Sequence, residues 1–475
     1  MKMQEYLRLM QKIDGRYLDE AYRRTAKPLG KQGKWRSIMG KSLKIAVSAA
    51  ICIAAVAGTV FAVNRFRSHS DTPASESSIF AGNAARFSDI NTDKPEFEQF
   101  SAPAFSDKGY YYLGNPRDGS AVTGICYVDR LTGRTVYLCA KPECLHDGSD
   151  FCPATNADYK IHNLIWYDGI LYAAATKQTH DKENPSQAVL LAYQPDGSGM
   201  DELTVLDSRG SLSFSELIAY RGELWVSGTV RLPNHTGESV LEDRPLNAEI
   251  WRYDLNRKKL STVSCTETAY AAAFVNLHAD SDAVYLSKRT NDPQGLKEGI
   301  YRISVSDGTM QRMNILPRDA ISFFAAGGQL YWFTAVNAQS QTVQMNWMQS
   351  DEKRSVDVPK GDLYLSDGAH LFIESGTEQH KRLTVCDMTG KVLKTADFEP
   401  EMRDGLFPQG YSFACADGML YCIEEVSVSR FAEQDPAAGQ VVRHYTAVRL
   451  EDWLKGRADF APLFEAWRSE GDTDG

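Results

Sequence analysis

The chain has 475 residues, 43% of them hydrophobic and 11% aromatic, with a formal net charge of −10. That composition excludes a disordered polymer, and the acidic balance argues against a protein held to nucleic acid by phosphate contacts. The charge is unevenly spread: residues 1–68 carry 14 Lys/Arg against 4 Asp/Glu, and the remainder carries 38 basic against 58 acidic residues.

Residues 1–44 form a basic tail. Met3, Tyr6, Leu7, Met10 and Ile13 recur at spacings of three and four, which predicts an amphipathic helix. Asp14-Gly15 interrupts it, and Tyr17, Leu18, Ala21 and Tyr22 give a second apolar face. Two such short helices cannot build a core. Residues 3–25 are therefore expected to lie on a membrane surface or to dock into a cytoplasmic regulator.

Residues 45–63 contain no charged side chain. As a helix this segment is long enough to cross a bilayer core of about 30 Å. Arg23, Arg24, Lys27, Lys31, Lys34, Arg36, Lys41 and Lys44 precede it, and only Arg65 and Arg67 follow closely. The positive-inside rule then places the N-terminus in the cytoplasm and the rest of the chain outside a cell membrane. The lead of 44 residues is too long for a cleaved signal peptide. Residues 64–95, rich in Ser, Ala, Asn, Asp and Pro, predict a flexible stalk.

From residue 96 to 465 a phrase recurs: a turn, Gly, any residue, an apolar residue, an aromatic. Its copies end at Tyr112, Tyr172, Trp225, Tyr285, Tyr331, Phe372 and Tyr421, spaced by 60, 53, 60, 46, 41 and 49 residues. The fourth copy carries Asp282 where the others have Gly. A period near 50 built from short strands predicts an all-β, seven-bladed β-propeller. The unit near residue 158 divides into strand A at 163–167, B at 170–175, C at 189–193 and D at 203–206, with Pro195-Asp-Gly-Ser-Gly199 as the C–D hairpin. The closing aromatics are expected in the core, wedged between neighbouring sheets. The last ten residues, 466–475, are polar and expected to fray.

Two resemblances attach to these segments. The phrases LLAYQPDGSG and IYRISVSDGT resemble the repeats of TolB-like and related secreted propellers. This implies a fold and no chemistry. Ile13-Asp-Gly-Arg-Tyr-Leu-Asp-Glu-Ala21 resembles the cytoplasmic tails of single-pass membrane proteins from anaerobic Gram-positive bacteria, some of them anti-sigma-like. That resemblance implies a tail able to bind a cytoplasmic partner such as a sigma factor.

Within the ring the B–C loops are long near 177–188, 229–248 and 428–442, in blades 2, 3 and 7. A long D–A connection at 139–162 follows blade 1. B–C and D–A loops of a propeller share one rim, so these insertions are expected to form one recognition surface for a protein, peptide or envelope glycan.

The same connection carries Cys139, Cys144, His146 and Cys152. Three chemistries fit: disulfides, favoured in a small exported loop; a structural zinc site; and free thiols. If Thr132-Gly133 is a two-residue turn, Cys126 lies opposite Cys139 and adds a further sulfur. The segment resembles a Cys-rich stretch in extracytoplasmic propellers of anaerobic bacteria, which implies a deliberate staple or metal clip. Cys265, Cys386, Cys415 and Cys422 are expected to be buried strand residues. No catalytic motif is found: Gly-x-Ser-x-Gly, His-Glu-x-x-His and a phosphate loop are absent. A non-enzymatic binding or sensing module is therefore expected. A propeller enzyme would need carboxylates or His, such as His180 or His235 of the long loops, converging on the B–C rim.

Overall fold

The computed structural model describes residues 104–469, apart from 116–121, 149–151, 180–185, 209–210, 232–245, 269–271, 293–294, 314–319, 350–351, 378–379, 400–405, 429–439 and some single positions. The predicted tail, membrane helix and stalk lie outside the described residues, as do His180 and His235. Among the described residues no helix is long and apolar enough to cross a membrane.

Among the described residues, twenty-eight strands form seven antiparallel sheets of four, each sheet a meander in sequence order. Blade 1 comprises β1 (Ala104–Phe105), β2 (Gly109–Gly114), β3 (Gly124–Asp129) and β4 (Thr135–Tyr137). Blade 2 comprises β5 (Tyr159–Tyr167), β6 (Ile170–Gln178), β7 (Ser186–Tyr193) and β8 (Met200–Asp207). Blades 3 to 6 follow over residues 211–268, 272–312, 320–359 and 363–398. Blade 7 closes the series with β25 (Leu406–Ala416), β26 (Met419–Val428), β27 (Gln440–Arg449) and β28 (Ala461–Ser469). The seven blades match the seven copies of the phrase.

The phrase is an A–B hairpin because its turn needs left-handed backbone. Asp168 and Gly169 have φ of 48° and 80°, and Arg221 and Gly222 have 51° and 79°. Two consecutive positive φ values define the type I′ turn, whose twist matches that of the flanking strands. Neighbouring turns are tied together. The Gly222 N–H donates to Tyr167 Oη of the preceding blade at 2.7 Å, and the Gly328 N–H donates to Asp280.

The aromatics that close the phrase pack where neighbouring blades meet. Tyr172, Trp225, Tyr285, Phe372 and Tyr421 are buried, and Tyr331 is half-buried. Buried apolar clusters join blades 2 and 3, 3 and 4, 4 and 5, 5 and 6, and 6 and 7, and one cluster joins blades 7, 1 and 2. The core is thus a circle of interblade wedges.

The first copy departs from the expected register. Phe105 pairs with Tyr110, and Ser106 Oγ donates to the Gly109 carbonyl at 2.8 Å, so Gly109 opens strand B instead of forming the turn. Tyr111 therefore takes the position facing blade 2, stacked on Trp166 at 5.3 Å. Tyr112 looks the other way, toward Phe464 of blade 7.

Among the described residues no strand is exchanged at the ring seam, since blade 1 is built from early strands and blade 7 from late ones. Side chains and one short bridge join them. Phe105 meets Tyr421 at 4.3 Å, Tyr110 stacks on Phe464 at 4.9 Å, and the Asn115 N–H donates to the Trp467 carbonyl at 2.8 Å. Each aromatic pair contributes about 0.5–1.5 kcal/mol beyond its buried area.

One expectation at the C-terminus is corrected: the polar end is predicted to fray from residue 466, yet β28 runs to Ser469 with Trp467 buried at the seam. Between its strands C and D blade 7 inserts a helical turn, α1 (Leu450–Leu454). Leu450 and Trp453 anchor it in the apolar cluster of blades 6 and 7, and the Lys394 ammonium lies 4.3 Å from the Trp453 ring. That burial holds a helix too short to stand alone.

Candidate metal centre and its rim

The centre is built on the connection from β4 to β5. Ile125 of β3 accepts from the Leu138 N–H at 2.8 Å and donates its own N–H to the Ala154 carbonyl at 2.9 Å. The connection thus leaves and returns along one residue of blade 1. Between those points it reaches blade 2, where the Ala140 N–H donates to the Gly197 carbonyl at 2.9 Å. Gly197 lies in the C–D turn of blade 2, so the connection is not confined to the B–C rim as expected. It crosses the outer edge where the two blades meet. At its end the Asp158 carbonyl accepts from the Gln178 N–H at 2.7 Å.

Gly197 is required there. Its φ is +74°, and a Cβ on it would stand 2.6 Å from the Cys139 nitrogen and 2.7 Å from the Leu138 carbonyl carbon. Only a residue without a side chain permits this approach in that conformation.

The loop gathers Cys139, Cys144, His146 and Cys152, whose ligand atoms all lie within 4.8 Å of one another. Cys152 is buried and the other three are half-buried. His146 Nδ1 is 3.3 Å from Cys152 Sγ. The His146 backbone has φ of 51°, an unfavourable conformation for a residue with a Cβ, and its ring lies 4.8 Å from that of Tyr137. Strain of this kind is kept where the surroundings demand one side-chain direction.

Backbone amides complete the shell: Lys141 N–H donates to Cys139 Sγ, and Thr155 N–H to Cys152 Sγ. Burial pushes the Cys139 thiol up to about 12, with the neighbouring Cys152 and Cys144 adding to it. Burial also raises Cys152, but hydrogen bonds from Thr155, His146 and Cys144 outweigh it and draw that thiol down to about 6. One sulfur is therefore ready to ionise and another is opposed. A cation shared by all of them removes that opposition. The arrangement has the donor set and spacing to hold a metal ion.

Cys126 does not join the cluster. It pairs across the hairpin with Tyr137 instead of Cys139 and is buried in the cluster of blades 7, 1 and 2. The turn is longer than the assumed Thr132-Gly133 pair. Asp129 accepts from the amides of Leu131 and Thr132, and Gly133 is left-handed, which shifts the register. Cys386, Cys415 and Cys422 are buried strand residues, as expected.

The strand ends locate the loop-bearing rim. Strands B and C are joined across residues 115–123, 179–185, 232–245 and 429–439 in blades 1, 2, 3 and 7. In blades 4 and 6 they are joined across only 293–294 and 378–379, and in blade 5 across 336–341. Blade 1 was not singled out from the sequence, although its β2 and β3 are as widely separated in sequence as the strands of blade 2.

No family model and no curated protein matches the chain. Solved structures with a similar course include the β-propeller domain of the Trilobed protease from Pyrococcus furiosus, described as having an open velcro topology. It has a TM-score of 0.39 and 10% identity, over 74% of this chain and 93% of that one. TolB from Acinetobacter baumannii has a TM-score of 0.31 and 11% identity, over 61% of this chain and 63% of that one. The polysaccharide lyase Uly1 has a TM-score of 0.43 and 10% identity, over 79% and 96%. Likenesses this remote carry no argument about activity; the propeller rests on its own seven sheets.

Proposed function

We propose that this protein is a non-enzymatic recognition module. A membrane helix at 45–63 holds the propeller outside the cell, where one half of its rim binds a protein, a peptide or an envelope glycan. The observation that carries this reading is the uneven ring. The B–C connections of four consecutive blades, 7, 1, 2 and 3, span 429–439, 115–123, 179–185 and 232–245, whereas those of blades 4 and 6 are two residues and that of blade 5, 336–341, falls just short of blade 2. Long connections in compact domains tend to be functional, and their grouping on one arc gives a continuous surface. On the same reading the metal suited to the cysteine cluster is zinc in a structural role. Three thiolates and one imidazole fill a tetrahedral zinc and leave no position for a substrate.

Site-specific photo-cross-linking in intact cells tests the reading. Probes at Gln178 and Gln440, at strand ends on the loop-bearing arc, are expected to capture an envelope component. Probes at Thr377 and His380 of blade 6 are expected to capture none. Equal capture from both arcs, or none from either, contradicts the proposal.

A further inference from the structure

The cysteine cluster does more than stabilise its own loop. We infer that Cys139, Cys144, His146 and Cys152 bind one zinc ion that acts as a clasp, locking the outer edge of blade 1 to the C–D hairpin of blade 2. The inference rests on the reading of the cluster as a zinc site.

The donor count favours metal over disulfide. A disulfide uses two sulfurs, and three cysteines leave one over beside an imidazole. Cys126, the one other sulfur from this blade, is not among the gathered ligand atoms and lies beside the Tyr112 hydroxyl. The sulfurs and the imidazole are borderline-soft ligands of the kind zinc prefers. The ligand atoms lie within 4.8 Å of one another, near the separation of about 3.8 Å that zinc–sulfur bonds of about 2.3 Å give in a tetrahedron. Amides of Lys141 and Thr155 already point at two of the sulfurs, as outer-shell donors do in metal sites.

The clasp follows from what the loop touches. Cys139 is the first ligand, and its backbone is the surface against which Gly197 is packed. The next amide, at Ala140, is the donor to Gly197. Cys152, the last ligand, lies two residues before Ala154, whose carbonyl is fixed to β3. Ligands at both ends of the connection thus sit next to its anchors, one on blade 2 and one on blade 1. An ion bridging Cys139 and Cys152 ties those anchors together. Turn contacts along the same connection include Cys144 N–H to the Lys141 carbonyl at 3.3 Å and Ala157 N–H to the Gly148 carbonyl at 3.0 Å.

The test measures zinc content and hydrogen exchange on the same purified full-length protein, before and after treatment with a strong zinc chelator under reducing conditions. The expected result is about one zinc per chain. Chelation should accelerate exchange at least about tenfold at Ala140, whose N–H is the one held by the Gly197 carbonyl. Exchange in blades 4 to 6 should not change. Cys152→Ser is expected to lower zinc affinity by at least about tenfold. His146→Cys, which keeps four ligands, should retain the metal and serves if Cys152→Ser does not fold. Absence of zinc, or a disulfide among Cys139, Cys144 and Cys152 in the protein as isolated, overturns the zinc reading itself. Stoichiometric zinc whose removal leaves exchange at Ala140 unchanged overturns the clasp alone.

Discussion

The junction of blades 1 and 2 and the junction of blades 6 and 7 do equivalent jobs in the ring with different chemistry. Blades 6 and 7 are joined mainly by a dry wedge. Phe413 packs edge-on to Phe398 at 4.8 Å, and Phe398 also meets Phe460 beneath α1. The Glu374 carboxylate is buried in that wedge at 2% exposure, with the Lys381 ammonium 3.5 Å away and the Phe413 N–H as a donor. Blades 1 and 2 also share aromatic contacts, but their outer edge is closed by a loop with little apolar content of its own, gathered around three sulfurs and an imidazole. Where the strands bring their own core, packing closes the seam. Where the connection is long and polar, a directional cluster takes over that role.

The sharpest way to break this contrast is to cut into the dry wedge. Phe413→Ala removes a ring at 2% exposure and is expected to cost about 3–5 kcal/mol in urea unfolding. Metal content should be unchanged, because the cluster lies in another blade pair. Loss of both together would show that the junctions are not independent.

Next comes the buried carboxylate. Burial raises Glu374 to about 7, with Lys381 only partly offsetting it. The folded protein then holds a proton that the unfolded chain releases at lower pH, so stability should fall as pH rises from the ordinary carboxylate range through about 7. The loss should be on the order of 3 kcal/mol in total. Unfolding of the wild type at stepped pH should show this slope, and Glu374→Gln should flatten it. An unchanged slope in the variant would remove Glu374 from the account.

The smallest effect should come from the hairpin under the clasp. Gly197→Ala places a Cβ against the Cys139 backbone at positive φ and is expected to cost about 1–3 kcal/mol. Gly199→Ala, which meets nothing within 4 Å, should stay within about 0.5 kcal/mol of wild type. Equal losses at the two positions would argue against close docking of the loop on blade 2.

Much of the ring could be read from the chain because its information is local. Gly169, Gly222 and Gly418 mark hairpin turns at a fixed distance from Tyr172, Trp225 and Tyr421, and each set lies within one short stretch. The first copy misled because Gly109 looks like a turn residue but is a strand residue. The turn chemistry belongs to Ser106, which no spacing rule distinguishes. Cys126 was misplaced for a related reason: the side chain of Asp129 widens the hairpin and moves the register. The four residues of the cluster were legible by residue type and proximity in sequence. Their blade 2 partner, Gly197, was not, because it arrives from a different blade and reads in sequence as an ordinary hairpin glycine. Glu374 was hidden among many acidic residues, since only the packing of blade 7 against it makes it unusual.

The claim on which the contrast rests is that a metal–thiolate centre closes the junction of blades 1 and 2. X-ray absorption at the zinc edge of the purified protein tests it most directly. The expected spectrum has about three sulfur neighbours near 2.3 Å and about one nitrogen near 2.0 Å. A zinc shell of oxygen and nitrogen alone, or protein isolated without zinc, would contradict it.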